Sequence, residues 1–98
     1  MSAFLFQIEL PVLSEDIAEL IPAQRKHIDR LMATGQMLSY SVSMSGDHIW
    51  CVIDAEEEKE AMELIAGFPL RKYFADVCCH PLLLHNAVPA ASFGLSLN

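Results

Sequence analysis

Phe4, Phe6, Ile8 and Leu10 alternate with Leu5, Gln7 and Glu9, the period of a strand buried on one face. Pro11 stops that run, and Ser14-Glu15-Asp16 opens a helix, the hydroxyl capping free N–H groups and the carboxylates lying near the positive end of the dipole. Ile17, Leu20, Ile21, Gln24, Ile28, Leu31 and Met32 then recur at helical spacing and predict one inward face. Pro22 inside the run predicts a kink or restart, and Gly35 the helix end. Strand alternation returns with Leu38, Tyr40, Val42 and Met44 against Ser39, Ser41, Ser43 and Ser45. The turn residues Ser45-Gly46-Asp47 lead into the β-forming run His48–Asp54, so these two strands form a hairpin. A second helix starts at the acidic run Glu56-Glu57-Glu58 and Glu60, read as a solvated first turn, and points Ala61, Met62, Leu64, Ile65 and Phe68 inward. After the Pro69 turn and the Arg71-Lys72-Tyr73 elbow, a last strand is predicted from Phe74 to Leu84, with Pro81 implying an edge position or a bulge.

The order strand, helix, strand, strand, helix, strand is the split βαβ arrangement of ferredoxin-like α+β domains. It predicts a four-stranded antiparallel sheet in the spatial order 4-1-3-2, with both helices on one face. The 98 residues suffice for one domain, expected over residues 1–85. Residues 86–98 are small, apolar and without period. A tail lying on a partner subunit would account for them, and an unpacked end also fits.

The hydrophobic fraction of 53% is high for so short a chain and predicts that a second copy covers part of the surface. The bare face of the sheet is the economical place for such a homodimer. The net charge of -7 arises from 13 acidic and 6 basic side chains, and the basic ones form no stripe, which argues against nucleic acid as a partner. No apolar run approaches the ~20 residues needed to span a bilayer, and the start lacks a basic signal-peptide region, so neither a membrane nor secretion is expected. A cytoplasmic location follows as the expectation. There Cys51, Cys78 and Cys79 are expected to stay free and mostly buried, since neighbours on a strand point to opposite faces.

Phe68-Pro69-Leu70-Arg71-Lys72-Tyr73 after the second helix, Gly35 before the second strand, Gly46 in the hairpin turn and Val52-Ile53-Asp54 entering the second helix resemble the muconolactone isomerase family. The similarity runs from the first strand to about His85. It implies a dimeric α+β barrel that isomerises a small lactone or carboxylic compound by moving a proton along a conjugated system, with no cofactor and no metal. Such chemistry needs a general base and groups that hold enolate charge. Where the family carries arginines on the second strand, this chain has Ser39 and Ser43.

The polar positions of the four strands collect Gln7, Glu9, Ser39, Ser41, Ser43, His48, Trp50, Asp76, Cys78 and His80 on the helix-free face. That set reads equally as a small-molecule pocket or as a polar dimer interface. Within the pocket reading, His80 with Glu9 on the neighbouring strand is the expected proton-handling pair. Trp50 forms an apolar wall, and Ser41, Ser43 and His48 bind substrate. Arg71 and Tyr73 on the elbow are expected to reach over the mouth. The competing reading is a non-catalytic dimeric module that binds a small ligand or another protein.

Overall fold

The computed structural model describes residues 2–87, so the expectation for the tail beyond Ala87 lies outside the described residues. The elements are β1 (Ser2–Glu9), α1 (Glu15–Ala33), β2 (Met37–Val42), β3 (His48–Ala55), α2 (Glu58–Ala66), a 3-10 turn (Arg71–Tyr73) and β4 (Asp76–Leu82). They build a four-stranded antiparallel sheet in the order β2-β3-β1-β4, as the pattern predicts.

Strand alternation decides which side of the sheet becomes core. In β1, Phe4, Phe6 and Ile8 are buried, and their cross-strand partners Ile53, Cys51 and Ile49 on β3 are buried with them. Ile28 and Leu31 of α1 and Ala61 and Ile65 of α2 join the same cluster, which places both helices on this face. The opposite face carries Leu5, Gln7 and Glu9 of β1 together with His48 and Trp50 of β3 and Asp76, Cys78 and His80 of β4. A register shift between Met37 and Ser39 marks a bulge in β2, after which Ser39 and Ser41 pair with Val52 and Trp50.

Ser14 caps α1 as expected, its hydroxyl accepting the Ile17 N–H at 3.3 Å. The helix then continues through Pro22 without a restart. Pro22 and Ala18, whose carbonyl loses its helical donor, both stand on the exposed side, where water can satisfy the orphaned oxygen. At the other end Gly35 adopts φ 80, a left-handed conformation that suits glycine. Its N–H bonds the Met32 carbonyl at 3.1 Å and the Gln36 N–H bonds the Leu31 carbonyl at 3.0 Å, a complete Schellman closure.

Gln24, on the inward face of α1, is only 3% exposed. Its Oε1 accepts the Leu70 N–H at 3.2 Å and its Nε2 donates to the Tyr40 hydroxyl at 3.4 Å. One amide thus ties α1 to β2 and to the turn that follows α2.

β4 begins later than the sequence suggests, because Phe74 belongs to the turn: its N–H bonds the Arg71 carbonyl at 3.1 Å. Pro81 does lie on an edge strand, where its missing donor costs little. The three cysteines are free, but Cys51 alone is buried, with Cys79 half-buried on the core face and Cys78 exposed on the opposite one. Burial pushes the Cys51 thiol up to about 12. Among the described residues no helix is long and apolar enough to cross a membrane.

Candidate active site

The β1–β3 register places Glu9 opposite His48 on the helix-free face. The hairpin turn then supplies a second carboxylate. Gly46, at φ 78, lets the chain reverse, and the Gly46 N–H bonds the Ser43 carbonyl at 2.9 Å. Asp47 Oδ1 collects the hydroxyl protons of Ser43, at 2.9 Å, and of Ser45, and lies 3.0 Å from His48 Nδ1. The Ser43 oxygen in turn accepts the His48 backbone N–H at 3.0 Å. The Leu10 N–H bonds the Asp47 carbonyl at 2.9 Å and anchors the turn to the end of β1. His48 Nε2 stands 3.6 Å from Glu9 Oε1, so the imidazole lies between two carboxylates. Trp50 stacks on its plane with centroids 5.5 Å apart and planes within 8°.

The charges follow from this geometry. The Ser45 hydroxyl, then His48 and Ser43, hold the Asp47 carboxyl far below the usual carboxylate range. The hydrogen bond that His48 donates to Asp47, with the nearby charges of Asp47 and Glu9, raises His48 above its ordinary 6.5 against a partial desolvation. A raised folded pKa contributes stability that is complete below 6.5 and lost as pH rises through the folded value. The depressed Asp47 contributes above its ordinary 3.8 and loses that contribution as pH falls through its folded value. The two contributions therefore coexist between about pH 4 and 6.5. In an NMR titration of the imidazole carbons His48 is expected to titrate above 6.5, and Asp47→Asn to bring it back towards that value. An unchanged His48 titration in the variant would remove Asp47 as the cause.

The other expected site residues are distributed differently. His80 pairs with Leu5, four residues along β1 from Glu9 and about 13 Å away along the strand. Glu9 consequently meets His48 and not His80, and the expected Glu9–His80 pair does not form. Asp76 is the β4 residue opposite Glu9. Ser41 lies beside Trp50 across the β2–β3 pair, while Ser43 is engaged in the turn. The Arg71 guanidinium sits 5.7 Å from the Phe74 ring centre, in a recess shared with Met62 of α2 and Val77, a core-face residue. Arg71 is thus on the helix side and does not overhang the polar face. Tyr73 lies under the Lys72 ammonium at 5.3 Å on the same elbow. The sequence marks Asp47 as turn chemistry; the recurrence Ser43, Ser45, Asp47 just before a histidine is the signal for its further role.

A cavity of about 580 Å³ lies on the other side of the sheet, between α1 and the β2–β3 hairpin.

The same architecture occurs in a solved enzyme, 5-chloro-2-hydroxyhydroquinone dehydrochlorinase (TftG) from Burkholderia phenoliruptrix AC1100, in complex with 2,5-dihydroxybenzoquinone. The TM-score is 0.67, and the match covers 80% of this chain and 90% of that one. The fold is ferredoxin-like. At 14% identity the likeness extends to the ferredoxin-like backbone and no further. No protein-family model matches the sequence, and no curated protein matches it.

Proposed function

We propose that this protein is a cofactor-independent isomerase of the muconolactone isomerase type, shifting a proton within a small neutral lactone. The observation that carries the reading is the imidazole of His48 set between Asp47 and Glu9 on an accessible sheet face. Glu9 takes the proton from the carbon next to the carbonyl, and the electron pair moves into the conjugated system as a dienolate. His48, whose protonated form Asp47 favours, stabilises that negative charge, and the proton returns at the far carbon. Trp50 supplies the apolar wall and Ser41 a hydroxyl beside it. Arg71 lies on the helix side, away from these carboxylates, so a neutral lactone suits the site better than a carboxylated one. The fold-mate TftG, a dehydrochlorinase by name and solved with a dihydroxybenzoquinone, makes a small oxygenated ring a reasonable substrate class.

We also assign the helix-free faces to a homodimer, with Trp50, 37% exposed in the single chain, inside it. The three free thiols suit the cytoplasm. Ultraviolet assays with α-angelica lactone and muconolactone, beside sedimentation equilibrium, test both parts. Expected are turnover favouring the neutral lactone and a dimer mass. A folded dimer silent on both lactones would leave the non-catalytic binding reading in its place.

A further inference from the structure

Arg71, on the helix side of the sheet, lines a recess of about 330 Å³ between α2 and the start of the edge strand β4. Helical spacing accounts for one wall: Lys59, Met62, Glu63 and Ala66 recur at steps of three and four residues and share a stripe of α2. Ile65 and Val77 complete an apolar floor. Ile65 is buried, while Met62 is 38% exposed, so its flexible thioether can adjust over what enters. The volume lies at the small end of the range for small-molecule sites. Val77 points to the opposite face from Asp76 and Cys78, which separates the recess from the carboxylate–imidazole cluster. It shares no lining residue with the cavity beneath α1.

Two of the chain's six basic side chains meet here, although its net charge is -7. Among the described residues neither Lys59 nor Arg71 enters an ion pair. The Arg71 guanidinium lies 5.7 Å from the centre of the Phe74 ring, and that ring packs edge-on at 6.1 Å against the buried Phe68. The guanidinium therefore rests on a ring fixed by the core, and its planar fork of N–H donors is of the kind that matches a carboxylate. Glu63, one helical turn after Lys59 on the same wall, reduces the local charge to a single positive unit, which attracts one carboxylate and opposes a second. A cation at the surface is content in water. The apolar floor beneath these two adds the preference for a ligand that is anionic at one end and apolar at the other.

We infer that the recess between α2 and β4 binds a small organic monocarboxylate, its carboxylate on Arg71 and Lys59 and its apolar body over Met62, Ile65 and Val77. Phenylacetate is a suitable probe, with phenylacetamide as the uncharged counterpart of the same shape. In a ¹H–¹⁵N NMR titration of the full chain, phenylacetate is expected to saturate and to shift the Met62, Ala66 and Val77 amides. Phenylacetamide is expected to bind about tenfold more weakly or worse, because the charge-assisted hydrogen bonds are lost. Arg71→Gln should weaken phenylacetate by a similar factor, and Arg71→Lys, which keeps the charge without the fork, by less. The dianion 1,4-phenylenediacetate should bind no more tightly than phenylacetate, and Glu63→Gln should improve it, since Glu63 opposes the second charge. Arg71 and Glu63 are both exposed, so these variants leave the core intact. Equal affinity for phenylacetate and phenylacetamide overturns the inference, as does undiminished phenylacetate binding in Arg71→Gln. So does a response centred on Glu9, His48 and Trp50, or one lost in His48→Gln, since either places the probe on the other face and bears on the isomerase reading instead.

Discussion

Glu9→Gln is expected to lower the turnover of α-angelica lactone by about a hundredfold or more, the usual worth of a positioned general base. The amide keeps the shape of the side chain and its place opposite His48, but accepts no proton. His48→Gln should produce a loss of the same order with a smaller change in KM, because the imidazolium acts on charge that develops only as the proton leaves. Combining the two changes should cost little more than either alone, since the residues serve one step. The pH profile adds an independent check. Turnover that requires protonated His48 falls as pH rises through its raised pKa, and Asp47→Asn should move that alkaline limb to lower pH because the Asp47 hydrogen bond is the largest cause of the elevation. Full activity in folded Glu9→Gln would remove the proposed chemistry from this face of the sheet.

Phe6→Ala is expected to destabilise the domain by about 3–5 kcal/mol, a large part of the roughly 5–15 kcal/mol that holds a domain of this size together. Phe6 is 0% exposed at the middle of the central strand, with Cys51 opposite it on β3 and Cys79 opposite it on β4. Neither thiol is large enough to fill the volume a phenyl ring leaves, and the strand backbone on both sides is held by ladder hydrogen bonds, so the site cannot collapse freely. Urea unfolding should show the midpoint falling with little change in slope. A loss below about 1 kcal/mol would mean that the sheet and helices close over the gap and that the core is less tightly determined at Phe6 than its burial implies.

The two predictions draw on different levels of information. Phe6 was legible from the start: strict alternation at Phe4, Phe6 and Ile8 marks a buried face whatever the rest of the chain does. The Ser14 cap, the Gly35 closure and the Gly46 turn were equally legible, because each depends on a few neighbouring residues. The continuity of α1 through Pro22 was less legible, because local propensity weighs the lost hydrogen bond without knowing that the affected carbonyl faces water. For the candidate site, alternation assigned Glu9, His48 and Trp50 to the correct face but left their neighbours across the sheet unspecified.

The sequence by itself determined the order of the elements, the ends of α1 and the buried side of each strand, since these follow from periodicities and caps that act over a few residues. Only the tertiary structure decided that Glu9 meets His48 and not His80, that Asp47 completes the pair, that Arg71 turns to the helix side and that the cavity opens beneath α1. The reason is physical: alternation has a period of two and sets the face, while contacts across strands depend on register, which is set by turns and by packing between residues far apart in the chain.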